Sequence, residues 1–181
     1  TRLDSGMPRA TVTLVPYDPG WAERFATEAT RLLEAFGAEV AGLHHIGSTA
    51  VQALTAKPTI DVLLEVRDLS RFGRLRTAAE RGGYAWHGEF GIAGRRYLVR
   101  AGDADGEDAV HVHAFLAGDA QVARHLAFRD YLLAHPDRAA AYGSLKAKLA
   151  AAHGDNREAY VAGKSGFIRE TDALARAWRR S

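Results

Sequence analysis

Cysteine is absent from the 181 residues, which excludes a disulfide framework, a thiolate nucleophile and a cysteine-bound zinc. Long apolar runs are absent too. None reaches the ~18 residues that a membrane-spanning helix needs, and the beginning of the chain carries no signal-peptide pattern. Charge of one sign is scarce: 24 Lys and Arg stand against 22 Asp and Glu, a formal +2. That excess is too small to imply nucleic acid, and the Arg176, Arg179, Arg180 cluster reads as a solvated helix end. There are no internal repeats and no low-complexity segment. These absences leave the expectation of a cytoplasmic chain whose partner is a small polar or phosphorylated molecule rather than nucleic acid or membrane. They say nothing of oligomeric state.

What is present is ordinary in bulk. With 47% apolar and 25% charged residues, the composition fits one sizeable core, or a core plus a small appended domain. Met7 is the only methionine, so residues 1–6 are a candidate upstream extension and 1–11 an N-terminal tail. Val12-Thr13-Leu14-Val15 reads as a short strand, and Asp18-Pro19 then opens a helix with an N-cap and a first-turn proline. Trp21, Phe25, Ala29, Leu32, Leu33 and Phe36 recur at helical spacing, so a stripe over 19–36 faces a core. A strand ends near Ile46. A second covers 60–66, where five apolar residues in seven predict a central strand buried on both faces.

Asp68 caps a helix running to Gly82-Gly83, and strands follow over 84–87, 95–100 and 110–116. The turn-rich 102–108 segment separates the last two like a hairpin loop. After Gly118 the pattern is helical only: one helix capped by Asp119 and ended by His135-Pro136, then helices over 139–152 and 155–178. The plan is an α/β core over 12–117 with a helical cap over 118–181.

Chemistry concentrates at two places. In His45-Ile46-Gly47-Ser48-Thr49 an apolar run ends in a Gly-Ser turn, exposing backbone N–H groups and a hydroxyl where phosphate can sit. Lys57-Pro58-Thr59-Ile60-Asp61 then leads into a strand with an acid inside it. An ionised carboxylate in an apolar strand is costly unless partnered. Asp61 is therefore either a structural acid held by an amide or arginine, or a functional one, as metal ligand or general base. Glu65 shares its strand face, but four residues place it about 13 Å away.

His111 and His113 alternate along a strand, so both imidazoles point to one face. With Asp61 they are candidates for a two-His, one-carboxylate site for Mg, Mn or Zn. Equally, they can bind phosphate, move protons, or be ordinary hydrogen-bonded histidines. His44 and His45 face opposite ways, so at most one shares the site. Lys164 lies in the stripe Tyr160, Lys164, Phe167, Ile168, Thr171, Leu174, Trp178. It either snorkels to water or projects into a cleft, where its charge suits a phosphate. Arg95-Arg96 is a candidate anion site. Gly163-Lys164-Ser165 looks like the end of a P-loop, but Glu158 stands five positions before Gly163 and the segment is helical. There is also no GxSxG elbow and no GxGxxG turn.

The Gly-Ser turn followed by an acid-bearing strand resembles the nucleotidyltransferase superfamily. A longer series of residues resembles the GrpB family, a domain also found beside dephospho-CoA kinase. The series runs through Val15-Pro16-Tyr17-Asp18-Pro19, Trp21, Phe25 and Glu28, then 45–51, 56–62 and Gly82-Gly83-Tyr84. It continues with Gly94-Arg95-Arg96, His111-Val112-His113, 126–132, His135-Pro136, Tyr142, Leu145-Lys146, Leu149-Ala150, Tyr160, Lys164 and Phe167-Ile168. The resemblance implies an α/β (α+β) fold: a nucleotidyltransferase-like mixed sheet with flanking helices and a C-terminal helical region. Two departures stand out. Gln52-Ala53 replaces the usual Pro-Gly, and only Asp61 stands where the superfamily has two acids two residues apart. The second departure argues against a standard two-magnesium nucleotidyl transfer.

The leading expectation is thus a transferase-like enzyme with non-standard catalytic residues, acting on ATP, another nucleotide or another phosphorylated small molecule. In it Gly47, Ser48 and Thr49 hold phosphate, Asp61, His111 and His113 hold a divalent metal or move protons, and Lys57, Arg96 and Lys164 neutralise charge. One alternative is a biosynthetic enzyme using the same cleft for acid–base chemistry, dehydration or cyclisation, without a nucleotide. Another is a non-catalytic nucleotide-binding module. The leading reading needs Ser48, Asp61, His111 and His113 to converge on one pocket.

Overall fold

Asp18 accepts the backbone N–H of Gly20 at 2.8 Å and so starts helix α1 (Gly20–Phe36), as its capping chemistry predicts. The computed structural model of the chain describes residues 12–102 and 109–180. The 1–11 tail and the 103–108 part of the expected hairpin loop lie outside them. Helix α1 buries Trp21, Leu32 and Phe36, but Leu33, expected in the stripe, is 49% exposed. Position 28 is buried in its place. Glu28 tolerates this because Tyr84 and Arg100 both donate hydrogen bonds to its carboxylate.

Five strands form one mixed sheet: β1 (Val40–Ile46), β2 (Ile60–Val66), β3 (Tyr84–Trp86), β4 (Arg96–Arg100) and β5 (Val110–Leu116). Their order is β1-β2-β5-β4-β3, with β2 and β5 parallel and every other pair antiparallel. Central β2 holds Val62, Leu63 and Leu64 at 0% exposure, so both its faces are covered. Each such side chain contributes about 1.5–3 kcal/mol on burial. A one-residue slip would turn the whole set over, so the register is firmly fixed. Asp61 can project only from the face that Leu63 occupies.

Helices α2 (Leu69–Arg74) and α3 (Arg76–Arg81) replace the single helix expected there, with the break at Leu75. Asp68 caps α2 by accepting the N–H groups of Ser70 and Arg71. With α1 they cover one sheet face, where Trp21, Phe36 and Phe72 pack on Val62, Leu64, Leu98 and Val112. Helices α4 (Ala120–Ala134), α5 (Pro136–His153) and α6 (Arg157–Trp178) lie on the other side. There Ile46, Leu63 and Phe115 pack on Val122 of α4. A further cluster of Val51, Leu54, Leu132 and Tyr142 pins the turn after β1 to α4 and α5.

The strand expected over 12–15 does not form. Val15 makes an isolated bridge to Ala56, while Val12 donates instead to the Gly154 carbonyl beyond α5. Sharing the segment between two neighbours leaves no continuous ladder. No helix among the described residues is long and apolar enough to cross a membrane.

Candidate functional site

Strand parity assembles the site. Asp61 pairs with His111 and Leu63 with His113 across β2 and β5, so the carboxylate and both imidazoles share the face toward α4 to α6. Ile46 pairs with Asp61 from the other side, and the chain leaves β1 through Gly47 at φ +73°. A Cβ on Gly47 would stand 2.6 Å from Asp61 Oδ2, so glycine lets the turn close over the acid.

His113 Nε2 lies 3.2 Å from Asp61 Oδ1, and His111 Nδ1 lies 3.8 Å from the same oxygen. Arg95 NH1 is 3.3 Å from His113 Nδ1. A guanidinium only donates, so Nδ1 accepts and the His113 proton sits on Nε2, aimed at Asp61. Arg95 is buried and also donates to the carbonyls of Glu89 and Phe90 at 3.2 and 2.7 Å. Its guanidinium lies 4.7 Å from the centre of the Tyr97 ring, which packs on both imidazoles. Burial raises the Asp61 carboxyl pKa. The His113 hydrogen bond, with the electrostatic influence of His113, His111 and Lys164, outweighs it and leaves the carboxyl below its ordinary value. Burial lowers His111 against the opposing pull of Asp61.

Two cavities meet at Asp61. One, of about 210 Å³, is lined by Ser48, Lys57, Asp61, His111, Lys146, Arg157, Tyr160 and Lys164. The other, of about 270 Å³, lies among Gly47, Asp61, His113, His125, Phe128, Tyr142 and Ile168. Among the described residues, the first brings four basic side chains around one carboxylate. Burial lowers the Lys57 and Lys164 pKa values, each further lowered by Arg157 and, for Lys164, by Lys57. Lys146, 2% exposed, is pushed down to about 7 by burial and by Lys164. Its Nζ donates to the Thr55 carbonyl, lies 3.0 Å from Ser48 Oγ and sits 4.8 Å from the Tyr142 ring centre.

The structure thus brings together Gly47, Ser48, Lys57, Asp61, His111, His113 and Lys164. It separates two other expected residues from them. Thr49 is 3% exposed; its hydroxyl donates to the Thr59 carbonyl at 3.1 Å and meets His45 Nε2 at 2.9 Å, so it braces the turn rather than facing a ligand. Arg96 pairs with Ala114, which puts it on the opposite sheet face from His113. There it binds the Arg95 carbonyl at 3.0 Å and faces Glu89. Its neighbour Arg95 takes the place expected for it. His45 also lies on the far face, stacked on Phe25, and His44 pairs with Glu65 at 2.8 Å.

Lys146 and Arg157 stood out by no spacing signal. Each looks like a solvated helix charge in sequence, although Lys146 lies within the GrpB-like series. Asp61, His111 and His113 do converge, but as a hydrogen-bonded cluster rather than a chelate. The His113 lone pair on Nδ1 faces the Arg95 guanidinium, and its Nε2–H faces Asp61, so neither nitrogen presents a lone pair to a cation. No group of three or more His, Cys, Asp or Glu among the described residues is arranged to hold a metal.

Fold and site together define a mixed α/β protein whose cleft, among the described residues, gathers basic side chains around the Asp61 carboxylate. The chain belongs to the GrpB family, whose GrpB protein pattern matches residues 11–173. It is 40% identical over 173 residues to the UPF0157 protein YqkA of Bacillus subtilis, covering 96% of this chain and 50% of that protein. It is 30% identical over 192 residues to a dephospho-CoA kinase of Mycolicibacterium paratuberculosis, covering 94% of this chain and 47% of the kinase. The chain therefore spans about half the length of these two relatives. The crystal structure of the conserved protein GrpB from Enterococcus faecalis superposes with a TM-score of 0.87 at 39% identity, over 93% of this chain and all of that one.

Proposed function

We propose that the cleft binds a nucleotide or another phosphorylated small molecule, with its phosphate among Lys57, Lys164 and Arg157 and its reacting group beside Asp61. One observation supports the reading above the others. Lys57, Lys146, Lys164 and Arg157 line one small cavity in which Asp61 is the only carboxylate among the described residues, and burial together with a neighbouring cation lowers the pKa of each of the three lysines. An anion of two or more charges relieves that repulsion, and Ser48 on the glycine-led turn offers it a hydroxyl. The neighbouring cavity carries aromatic and apolar side chains suited to the rest of such a ligand. The oriented Asp61–His113 pair supports proton transfer as the chemistry, which also accommodates a dehydrating or cyclising enzyme.

Thermal unfolding with pyrophosphate, AMP and ATP, each with and without Mg²⁺, Mn²⁺ or Zn²⁺, tests the reading. A ligand present at ~100 times its Kd adds about 2.7 kcal/mol. A shift lost in Lys164→Ala supports the reading. Absence of a shift with every phosphorylated compound overturns it. Binding unchanged in Asp61→Asn with no turnover marks a sensing module instead of an enzyme.

A further inference from the structure

Lys146 is a buried lysine, and among the described residues no carboxylate lies within hydrogen-bonding range of it. Its Nζ touches Ser48 Oγ and the Thr55 carbonyl, and the Tyr142 ring lies beneath it. Lys164 faces Lys146 from α6, and Lys57, Asp61, His111, Arg157 and Tyr160 complete the charged and titratable lining of the cavity among the described residues.

We propose that Ser48 and Lys146 form a nucleophile and general-base pair, through which Ser48 accepts a phosphoryl group from a phosphoanhydride bound in the cleft. This rests on the phosphate-binding reading and adds a covalent step to it.

The contacts suit that step. A neutral lysine amine has two N–H donors and one lone pair. In the structure Nζ donates both to the Thr55 carbonyl and to Ser48 Oγ, the latter at 3.0 Å; once the amine is neutral, its lone pair can accept the Ser48 O–H across that same contact. Tyr142, with its ring under Lys146 Nζ, keeps its proton because burial raises its pKa, so it adds no second charge beside the pair. An ordinary lysine is protonated at neutral pH and cannot serve as a base. Burial and Lys164 lower Lys146 to about 7, which brings its neutral form within reach near neutral pH.

In the step, the Ser48 Oγ–P bond forms as the P–O bond to the leaving phosphate or nucleotide breaks. The serine proton passes to Lys146 Nζ. The leaving oxygen keeps the electron pair, and Lys57, Lys164 and Arg157 offset its charge.

An alkyl fluorophosphonate provides the probe, since it phosphonylates an activated serine with loss of fluoride. Intact-mass and peptide mapping should place one adduct on Ser48, absent in Ser48→Ala and unchanged in Ser144→Ala on the exposed side of α5. The labelling rate of the unmodified protein should rise with pH and level off above the Lys146 pKa. Lys146→Met should lower it at least ~100-fold. An unlabelled Ser48 across pH 6–9, or a rate independent of Lys146 and of pH, overturns the proposal. The pH profile needs no variant, so it decides the matter even if Lys146→Met fails to fold. Stabilisation by pyrophosphate without Ser48 labelling would sink the nucleophile and leave phosphate binding intact. Labelling without any phosphate binding would leave Ser48 an activated serine but overturn phosphoryl acceptance together with the phosphate reading.

Discussion

Arg95 donates to His113 Nδ1 at 3.3 Å, and that contact decides which proton His113 offers to Asp61. With Nδ1 committed as acceptor, the neutral ring carries its hydrogen on Nε2, 3.2 Å from the carboxylate. Arg95→Met removes the donor and frees Nδ1 to take the proton. Long-range ¹H–¹⁵N spectra should show a single Nε2–H tautomer for His113 in the parent chain and a mixture in the variant. An unchanged tautomer would mean that Asp61 alone orients the ring. Arg95→Lys should restore it only partly, because an ammonium lacks the planar fork that also reaches the Glu89 and Phe90 carbonyls.

Ala53 sits at φ +63°, in the left-handed region, where the family resemblance has glycine. Leu54 N–H bonds the Val51 carbonyl at 3.2 Å, closing a turn with Ala53 in its third position. The loss of Pro-Gly has therefore left the turn standing and moved its cost into the backbone. A left-handed non-glycine residue costs about 1–2 kcal/mol, against about 0.5–1 kcal/mol of extra chain entropy for glycine. Ala53→Gly should thus stabilise the protein by about 0.5–1 kcal/mol in urea unfolding, whereas most substitutions destabilise. A loss of stability would show the turn to be relaxed as it stands.

Much of this was legible from sequence because strand parity is strict. Asp61 inside an apolar run and the alternation of His111 with His113 each fix a face. Pairing β2 with β5 then puts those faces together. Parity between strands is another matter: nothing local distinguishes Arg95 from Arg96 until β4 is registered on β5. Helix charges are harder still. Lys146 is 2% exposed on a helix whose composition reads as solvated, and only the fold brings it under the Ser48 turn. Glu28 displaced Leu33 from the core for a similar reason, since its partners Tyr84 and Arg100 lie 56 and 72 residues away.

Acid should destabilise the protein well before its carboxylates titrate. Burial lowers the imidazoles of His45 and His125 to about 4. Unfolded, each takes up a proton near its ordinary 6.5. Between about pH 6.5 and 4 the unfolded chain binds more protons than the folded one, so stability falls as pH drops through that window. Asp61, with its carboxyl lowered, keeps its contribution above the ordinary carboxylate range and loses it only at lower pH, so it does not offset the slope. The expected loss from pH 7.5 to 5 is about 1–3 kcal/mol, discounted for partial solvent access. His125→Phe should flatten the slope of the urea midpoint against pH. A parent midpoint constant from 7.5 to 5 would refute the assignment.

On the sheet face away from the cleft, Glu28 is 1% exposed and binds Arg100 at 2.6 and 3.2 Å as well as the Tyr84 hydroxyl. The carboxylate raises the Arg100 pKa through its hydrogen bond, and burial together with Glu28 raises that of Tyr84. Removing one partner of such a pair leaves a charge uncompensated in low dielectric, at a cost of about 3–5 kcal/mol. Glu28→Gln preserves shape and keeps an acceptor for Tyr84 but strands the guanidinium, so it should lose most of that amount. Tyr84→Phe forfeits one hydrogen bond to a charged group, about 1.5–3 kcal/mol, while the ion pair survives. Urea unfolding of both single variants and the double variant separates the terms. A loss below about 1 kcal/mol for Glu28→Gln would mean that water reaches Arg100 in the folded state and that the pair behaves as a surface contact.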